Sequence, residues 1–403
     1  MRQSQLFTKT ERNAPQDEIA LNAQLLARGG FVYKNSAGVY SFLPLGWRVI
    51  QKITQIVREE MNAIGGVEMF MPALIDKKYM EMTGRWDISI DFQTKSRYGG
   101  EFALGWTHEE LLTEVVTKYI SSYRDLPFSA YQIQTKFRDE KRPKSGILRG
   151  REFMMKDLYS FHQSQADLDR FYEKVAKAYA KIFERCGFKA IYTLAAGGDF
   201  TKSYTHEFQV LAPVGEDTIF LCEKCDYAEN QEISELKDDS GCTKCGGKIK
   251  EAKAIEVGNI FPLGTKFSEA FDLKFLNEKG EKELVVMGSY GIGIGRLMGT
   301  AVELFHDDHG IIWPKAIAPF AVHLIELEGG KGEEIYHDLQ KRGVEVLYDE
   351  RTLSAGEKFA DADLLGIPVR LVTSAKTGEK LELKLRNESE VKLMTLDELS
   401  NQL

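Results

Sequence analysis

The most specific spacing in the chain belongs to two cysteine pairs, Cys222 with Cys225 and Cys242 with Cys245, separated by the 16 residues from Asp226 to Gly241. In a CxxC…CxxC pattern two thiolate knuckles can close one tetrahedral zinc site, and this separation lies in the range where they do so. The stretch between them, with its ELKDDSG run, has no apolar core of its own. Either a metal holds it, or the knuckles are metal-free reduced loops. Five cysteines in 403 residues are too sparse for a disulfide scaffold. The fifth, Cys186 in IFERCGF, reads as core.

A second set of side chains could hold phosphate or carboxylate. Arg138 and Glu140 lie in FRDE, Arg149 and Phe153 in RGREF. Two arginines on paired strands can clamp an anion bidentately, and a phenylalanine beside them can stack on a base. From Lys136 to Lys156 eight basic residues face three acids, a local positive patch in a chain whose formal net charge is -8. Further on, GIGIGR sets Gly291, Gly293 and Gly295 before Arg296. The spacing fails the GxGxxG dinucleotide fingerprint. Glycines alternating with apolar residues instead let a ligand lie flat on the backbone, and the following arginine can cap a triphosphate or a purine ring.

These groups need elements to position them. Apolar residues at helical spacing predict a helix over Trp47–Ile64, closed by Gly65-Gly66, and VEMFMPALI then reads as a strand carrying Pro72. A long helix feeding a proline-bearing strand suits a subunit boundary. Residues 128–162 read strand, loop, strand, with Phe153, Met155, Asp157 and Tyr159 on one face of the second strand. A carboxylate among apolar neighbours is costly to bury unpaired, so Asp157 calls for a cationic partner or a wet site. A helix over Asp167–Cys186 follows, with Ser164 as its cap and Gly187 past its end, and LVVMGSYGIGIGRLMGTAVELF reads as strand, glycine-rich turn and helix. From about Pro319 a β-α-β-α-β pattern with a terminal hairpin predicts a small mixed α/β domain.

Hydrophobic residues at 43% and charged residues at 28% are ordinary for a globular chain and exclude collagen-like, coiled-coil and disordered classes. No window carries the ~20 apolar residues of a membrane span. The N-terminus lacks a secretory signal, so the expected compartment is the cytoplasm.

In order, the helix and strand ending at Pro72, FRDE with RGREF, and GIGIGR resemble the three signature motifs of class II aminoacyl-tRNA synthetases. Within that class the chain resembles bacterial-type prolyl-tRNA synthetases along nearly its whole length, through LGWTHEE, QIQTKFRDEKRPKSGILRGREFMMKDLYSFH, THEFQVLAP, IEVGNIFPLGTKFSEA, MGSYGIGIGR and DERTLSAGEKFADADLLGIP. The resemblance implies an α+β catalytic domain with an antiparallel sheet over residues 1–312, a linker at 313–319 and a C-terminal α/β anticodon-binding domain over 320–403. It implies activation of L-proline by ATP with Mg²⁺, transfer to tRNA(Pro), and a homodimer. A catalytically silent paralogue acting as a binding or regulatory protein is the alternative, but such a chain should have lost a motif arginine, and Arg138, Arg149 and Arg296 are all present.

The resemblance also assigns residues. Arg138 would bind the α-phosphate and the substrate carboxylate, Glu140 and Phe153 the adenine, and Arg296 the γ-phosphate or adenine face, with Arg149, Gly291 and Gly293 completing the nucleotide site. Thr107 and Glu109 of the TxE loop would recognise the proline nitrogen. Met155, Asp157, Tyr159, Phe161, His162, His206 and Ser289 would line the ring pocket. Lys141, Arg142, Lys144 and Arg151 would reach the tRNA acceptor end, and Asp349, Arg351, Lys358, Phe359 and Asp361 the anticodon. Two departures stand out. The family usually has proline before the TxE loop, where this chain has Trp106. Typical bacterial members carry a large editing domain between the second and third motifs, where this chain has only the cysteine ribbon at about 220–250. No hydrolysis of mischarged alanyl-tRNA in cis is expected, and a separate trans-editing protein is the implied partner.

Overall fold

The structure, a computed structural model, describes residues 1–141, 143–198, 200–201 and 205–400. Its centre is a nine-stranded sheet. In chain order the strands are β1 (Val67–Glu68), β2 (Phe128–Phe137), β3 (Glu152–His162), β4 (Ile191–Ala195), β5 (Thr205–Leu211), β6 (Asp217–Cys222), β7 (Ala228–Asn230), β8 (Ile249–Gly264) and β9 (Val286–Gly293). Across the sheet the order is β5-β4-β7-β6-β8-β9-β3-β2-β1. Pairing is antiparallel except for β1 with β2 and β4 with β7. The 16-residue β8 runs antiparallel first along β6 and then along β5, so one strand spans the width of two.

Three helices cover one face. In α1 (Pro44–Ala63) proline opens the first turn, where its missing N–H costs nothing, and Val49, Ile50, Ile53, Val57 and Met61 form the buried stripe. Between α1 and β2 lies α2 (Glu109–Val116), on the other side of the sheet. The second covering helix, α3 (Gln165–Arg185), starts where Ser164 Oγ accepts from the Asp167 amide, and Leu168, Tyr172, Val175, Tyr179 and Ile182 face the sheet. The third, α4 (Ile294–Leu304), continues directly from β9. Residues from all three share one core with Leu158, Tyr290 and Ile292 of the sheet. Because side chains alternate, Lys156, Leu158 and Ser160 of β3 face these helices, and Asp157 and Tyr159 face the opposite side.

Two local expectations are corrected. The strand expected over VEMFMPALI keeps only Val67–Glu68 in the central sheet. Past it, the Met71 amide donates to Gln132 Oε1 and Pro72 offers no N–H, so the ladder with β2 ends and the chain crosses toward the open face. Nor is there a turn in GIGIGR. Gly291 and Gly293 lie in β9, and Gly295 lies in the first turn of α4.

The C-terminal residues form a five-stranded sheet of β10 (Val322–Glu326), β11 (Val346–Asp349), β12 (Val369–Thr373), β13 (Leu381–Leu385) and β14 (Val391–Met394), in the order β11-β10-β12-β13-β14. The first three are parallel, joined through α5 (Gly332–Lys341) and α6 (Ala355–Leu365), and the hairpin is antiparallel. Residues 313–319, expected to be a linker, are packed. Trp313 lies 5.4 Å from the Phe31 ring and donates from Nε1 to Leu365 O, and Ile317 and Ala318 are fully buried. Arg386, in the turn after β13, grips Asp307 through both carboxylate oxygens, at 2.7 and 2.6 Å.

A candidate active site on the open face of the sheet

The face of the sheet away from α1, α3 and α4 carries two adjoining sets of charged groups. The first is built on the N-terminal turn of α2, where Glu109 and Glu110 are both buried. A helix N-terminus is the favourable end for carboxylates. Glu109 Oε2 accepts from Thr107 Oγ1 at 2.5 Å and from Arg85 Nη1 at 3.1 Å, and its Oε1 accepts from Ser289 Oγ at 2.9 Å. Thus the TxE residues meet Ser289 of β9. Asp157 is also here, and the cationic partner expected for it exists. Its Oδ2 accepts from Lys136 Nζ at 2.9 Å, Tyr159 OH at 2.7 Å and Gln132 Nε2 at 3.0 Å. Burial alone would raise the Asp157 carboxyl, but Lys136 and His108, with these hydrogen bonds, hold it below the usual range. Its Oδ1 has no partner among the described residues.

His108 completes this layer. Its Nε2 lies 3.0 Å from Pro72 O and its Nδ1 2.5 Å from Lys136 Nζ, which fixes the proton on Nε2. Burial, then Lys136, push its pKa down to about 4, so the ring is neutral near pH 7. Its amide donates to Tyr159 OH at 2.9 Å.

The second set surrounds a cavity of about 220 Å³ lined by Arg138, Glu140, Arg149, Glu216, Asp217, Glu256 and Arg296. Arg138 follows β2, its guanidinium lies 5.2 Å from the Phe153 ring, and its buried Nε has no partner among the described residues. Burial, then Arg296, lower its pKa. Arg296, in the first turn of α4, donates to Leu148 O and to the backbone and carboxylate of Glu256, all at 2.9 Å. Arg149 is shared between Glu140 and Glu216 at 3.0 Å each. Beyond Arg149 the wall continues through Phe153 and Gly293. A side chain at Gly291 would press on Asn259 Oδ1 at 3.0 Å. Glu207, Asp217 and Glu256 form an acidic wall. Burial and Glu256 lift Glu207 to about 8.

Other expected residues lie elsewhere. His162 and His206 are on the helix-covered face: His162 Nδ1 pairs with Asp167 at 2.8 Å, and His206 stacks on Tyr192 at 4.1 Å and meets Tyr172 OH at 3.0 Å. The period of two explains His162, five residues from Asp157 and so on the opposite side of β3. Phe161 shares the Asp157 face but is spent on a core stack with Phe128 at 4.7 Å. Met155 stands near Gly291. Lys141 and Lys144 are exposed on the basic loop, and Arg151 Nε is tied to Glu140 O. Arg142 lies outside the described residues. In the C-terminal unit Arg351 is paired with Asp349 and Asp361, and buried Lys358 donates to Glu326 O and Asp349 O. Phe359 is covered by Arg370 at 4.7 Å.

The four sulfurs of Cys222, Cys225, Cys242 and Cys245 lie within 4.8 Å of one another. Four ligands at about 2.3 Å from one zinc stand about 3.8 Å apart, and the Cys222–Cys245 and Cys225–Cys242 separations of 3.5 and 3.8 Å match. Amides of Lys224, Lys244 and Gly247 point at three of the sulfurs. The donor set fits a tetrahedral thiolate site.

Sequence reasoning missed Arg85, His108, Lys136, Gln132 and Glu256. For Gln132 and Lys136 the signal was present, since QIQTK puts polar residues at period two on β2. Arg85, in TGRWD, had no periodic context.

An antiparallel sheet backed by helices, with FRDE and RGREF in the connection at the joined ends of β2 and β3, so that Arg138 and Arg149 lie just off the paired strands expected to carry them, and with an arginine opening the helix after β9, is the core of a class II aminoacyl-tRNA synthetase. The family model of the tRNA synthetase class II core domain (G, H, P, S and T) matches residues 92–305, and that of the anticodon binding domain matches 317–403. The proline–tRNA ligase of Geobacillus kaustophilus (strain HTA426) is 35% identical over 557 aligned positions, covering 99% of this chain and 98% of that protein. That of Bacillus cytotoxicus is 36% identical, covering 98% of each. This chain belongs to the proline–tRNA ligase family. The 557 aligned positions exceed its 403 residues, so those relatives carry internal residues that it lacks. In fold it is similar to the prolyl-tRNA synthetase of Cryptosporidium parvum complexed with L-proline and AMP, with a TM-score of 0.77, 18% identity, and coverage of 94% of this chain and 73% of that one. The Giardia lamblia enzyme in complex with prolyl-adenylate gives 0.78, 20%, 94% and 75%. Among the described residues no helix is long and apolar enough to cross a membrane.

Proposed function

We propose that this chain activates L-proline with ATP and transfers the prolyl group to tRNA(Pro). The observation that carries the reading is Arg138, whose Nε has no partner among the described residues and which stands between the buried carboxylate of Glu109 and the cavity lined by Arg149, Glu256 and Arg296. A proline whose ammonium meets Glu109 and Thr107 directs its carboxylate to Arg138. Tyr159 and Met155 wall the ring. The adenine stacks on Phe153 with Glu140 at its edge, Arg296 meets the far phosphate, and Arg149 exchanges Glu216 for phosphate. Gly291 and Gly293 let the nucleotide lie against β9.

A carboxylate oxygen of proline attacks the α-phosphorus, the bond to the bridging oxygen of the β-phosphate breaks, and pyrophosphate leaves. The chain's task is alignment and charge stabilisation rather than covalent catalysis. Glu256 and Asp217 would hold Mg²⁺ bound with ATP, which would supply charge to offset the phosphates. A terminal ribose hydroxyl of tRNA then attacks the acyl carbon and AMP leaves. The basic loop carrying Lys141 and Lys144 suits acceptor-stem phosphates, and Arg351 with Phe359 and Asp361 suits unstacked anticodon bases. Zinc at the four cysteines would be structural.

A second copy of the chain fits at β1, a two-residue edge strand that carries Val67 and is followed by Phe70 and Leu74, which are 64, 74 and 51% exposed. The relatives carry internal residues that this chain lacks, and alanyl-tRNA(Pro) would be left to a separate editing protein.

The test is amino-acid-dependent ATP–pyrophosphate exchange with proline, alanine, cysteine, threonine and serine. Proline should dominate, and Arg138→Ala should cut the proline rate by about 10²–10³-fold in folded protein. No exchange with any of the five would overturn the reading.

A further inference from the structure

Arg85 belongs to none of the motifs, yet it is 3% exposed and stands at the back of the amino-acid pocket. One nitrogen, Nη1, lies 3.1 Å from Glu109 Oε2 and 3.1 Å from Glu110 Oε1. The rest of the guanidinium sits among three rings, 4.6 Å from Trp106 and 4.9 Å from Phe200 and from Phe267. Its Nε and Nη2 have no partner among the described residues. A cation in an aromatic cage with a single nitrogen engaged is held by the two acids and by the ring faces.

We propose that Arg85 is a positioning and specificity-determining residue that sets Glu109 for a substrate ammonium. This rests on the amino-acid-activating reading above. The first support is orientation. Of the roughly four lone-pair sites of a carboxylate, Arg85 and Thr107 take both on Oε2 and Ser289 takes one on Oε1, so the remaining acceptor direction of Glu109 is on Oε1. The second is charge. Burial and Glu109 raise the Glu110 carboxyl and Arg85 opposes them; with both carboxylates ionised, the two acids and one guanidinium carry a single negative charge, which one ammonium cancels.

Among the described residues no other cation substitutes for Arg85. The charged or titratable groups around Glu109 are Arg85, Glu110, His108, Lys136, Arg138 and Tyr159. His108 is neutral, Lys136 is taken by Asp157, and Arg138 faces the nucleotide cavity. Around Glu110 are Arg85, Thr83 at 2.7 Å, Glu109 and Asp91. Asp91 adds no cation: burial and Glu110 raise it to about 7, and neither of its oxygens has a partner among the described residues. The indole that replaces the family's usual proline at 106 is thus one wall of the Arg85 cage.

The test compares Arg85→Met and Arg85→Lys in the full chain, using L-proline and tetrahydrofuran-2-carboxylate, in which a ring oxygen replaces the ammonium. Exchange gives KM and kcat for proline, and inhibition gives the affinity of the analogue. In Arg85→Met the two carboxylates share a proton at neutral pH, so KM for proline should rise by about 30-fold or more. The affinity of the analogue and KM for ATP should hold, and KM for proline should fall again as pH rises. Arg85→Lys should recover most of the loss. If Arg85→Met does not fold, Arg85→Met/Glu110→Gln restores the single net charge and should again prefer proline to the analogue. Equal losses for proline and analogue, or a fall in kcat at constant KM, would overturn the role of Arg85 alone. Absence of proline exchange in the wild-type chain would overturn both it and the reading beneath it.

Discussion

Lys136 of β2 stands opposite Phe153 and reaches along the sheet face to Asp157 of β3, Nζ 2.9 Å from Oδ2, and both side chains are buried. The pair lies directly beneath the Glu109 pocket and is completed by Gln132, Tyr159 and His108. Such a network is worth little relative to an apolar core but costs a great deal when half of it is removed.

Lys136→Met should therefore destabilise the chain by about 3–5 kcal/mol, because the Asp157 carboxylate loses its counter-charge in a buried site. Lys136→Met/Asp157→Asn should recover a large part of that. Urea unfolding measures both. A single variant as stable as wild type would mean that water reaches Asp157.

His206→Ala should behave as a packing mutation. It removes the stack on Tyr192 and the contact with Tyr172, on the face opposite Glu109, at a cost of about 1–2 kcal/mol. KM for proline should stay at the wild-type value, whereas Glu109→Gln should raise it. Burial pushes His206 to about 4, so it contributes no inflection to the activity profile between pH 6 and pH 8. Exchange kinetics across that range check both statements.

Metal analysis of the purified chain should give about one zinc per chain. Cys222→Ser or Cys242→Ser should abolish it and open residues 223–248 to limited proteolysis. A full zinc content in either variant would place the metal elsewhere.

Arg386, with two backbone amides, holds Asp307 far below the usual carboxylate range. A depressed carboxyl contributes stability that is present above its unfolded value, near 3.9, and lost as pH falls toward the folded one. Acidification below about pH 4 should therefore weaken the hold of the C-terminal sheet on the catalytic unit. Arg386→Ala should lower Tm at pH 7 and flatten its acid dependence. Calorimetry at pH 7 and pH 3.5 separates the two.

The long amphipathic helices were legible because Val49–Met61 and Leu168–Ile182 repeat at helical spacing, and the caps Ser164 and Gly187 are where the residue types place them. The Asp157 problem was legible as well, as a carboxylate on an otherwise apolar strand face. What escaped was determined by faces and long-range contacts. His162 follows Phe161 in sequence but turns to the other side of β3, and Arg85 meets Glu109 only through the tertiary fold. The strand expected through Pro72 failed because side chains of Gln132 and Gln134 replace the ladder there.

At the tip of β6 and the start of β8, Cys222 is opposite Ile249 as an antiparallel pair, so the ribbon begins and ends within one strand spacing. The segment between them is also held in the middle, because β7 pairs with β6 and with β4 and Asn230 donates to Glu207 Oε2. The nucleotide wall at Glu256 is seven residues along the same strand, in register with β5 rather than with the ribbon. The fold thus offers a socket of limited depth: the chain beyond Asn230 and before Lys248 can change in size at the bench, whereas β7 has to stay to fill the sheet between β4 and β6.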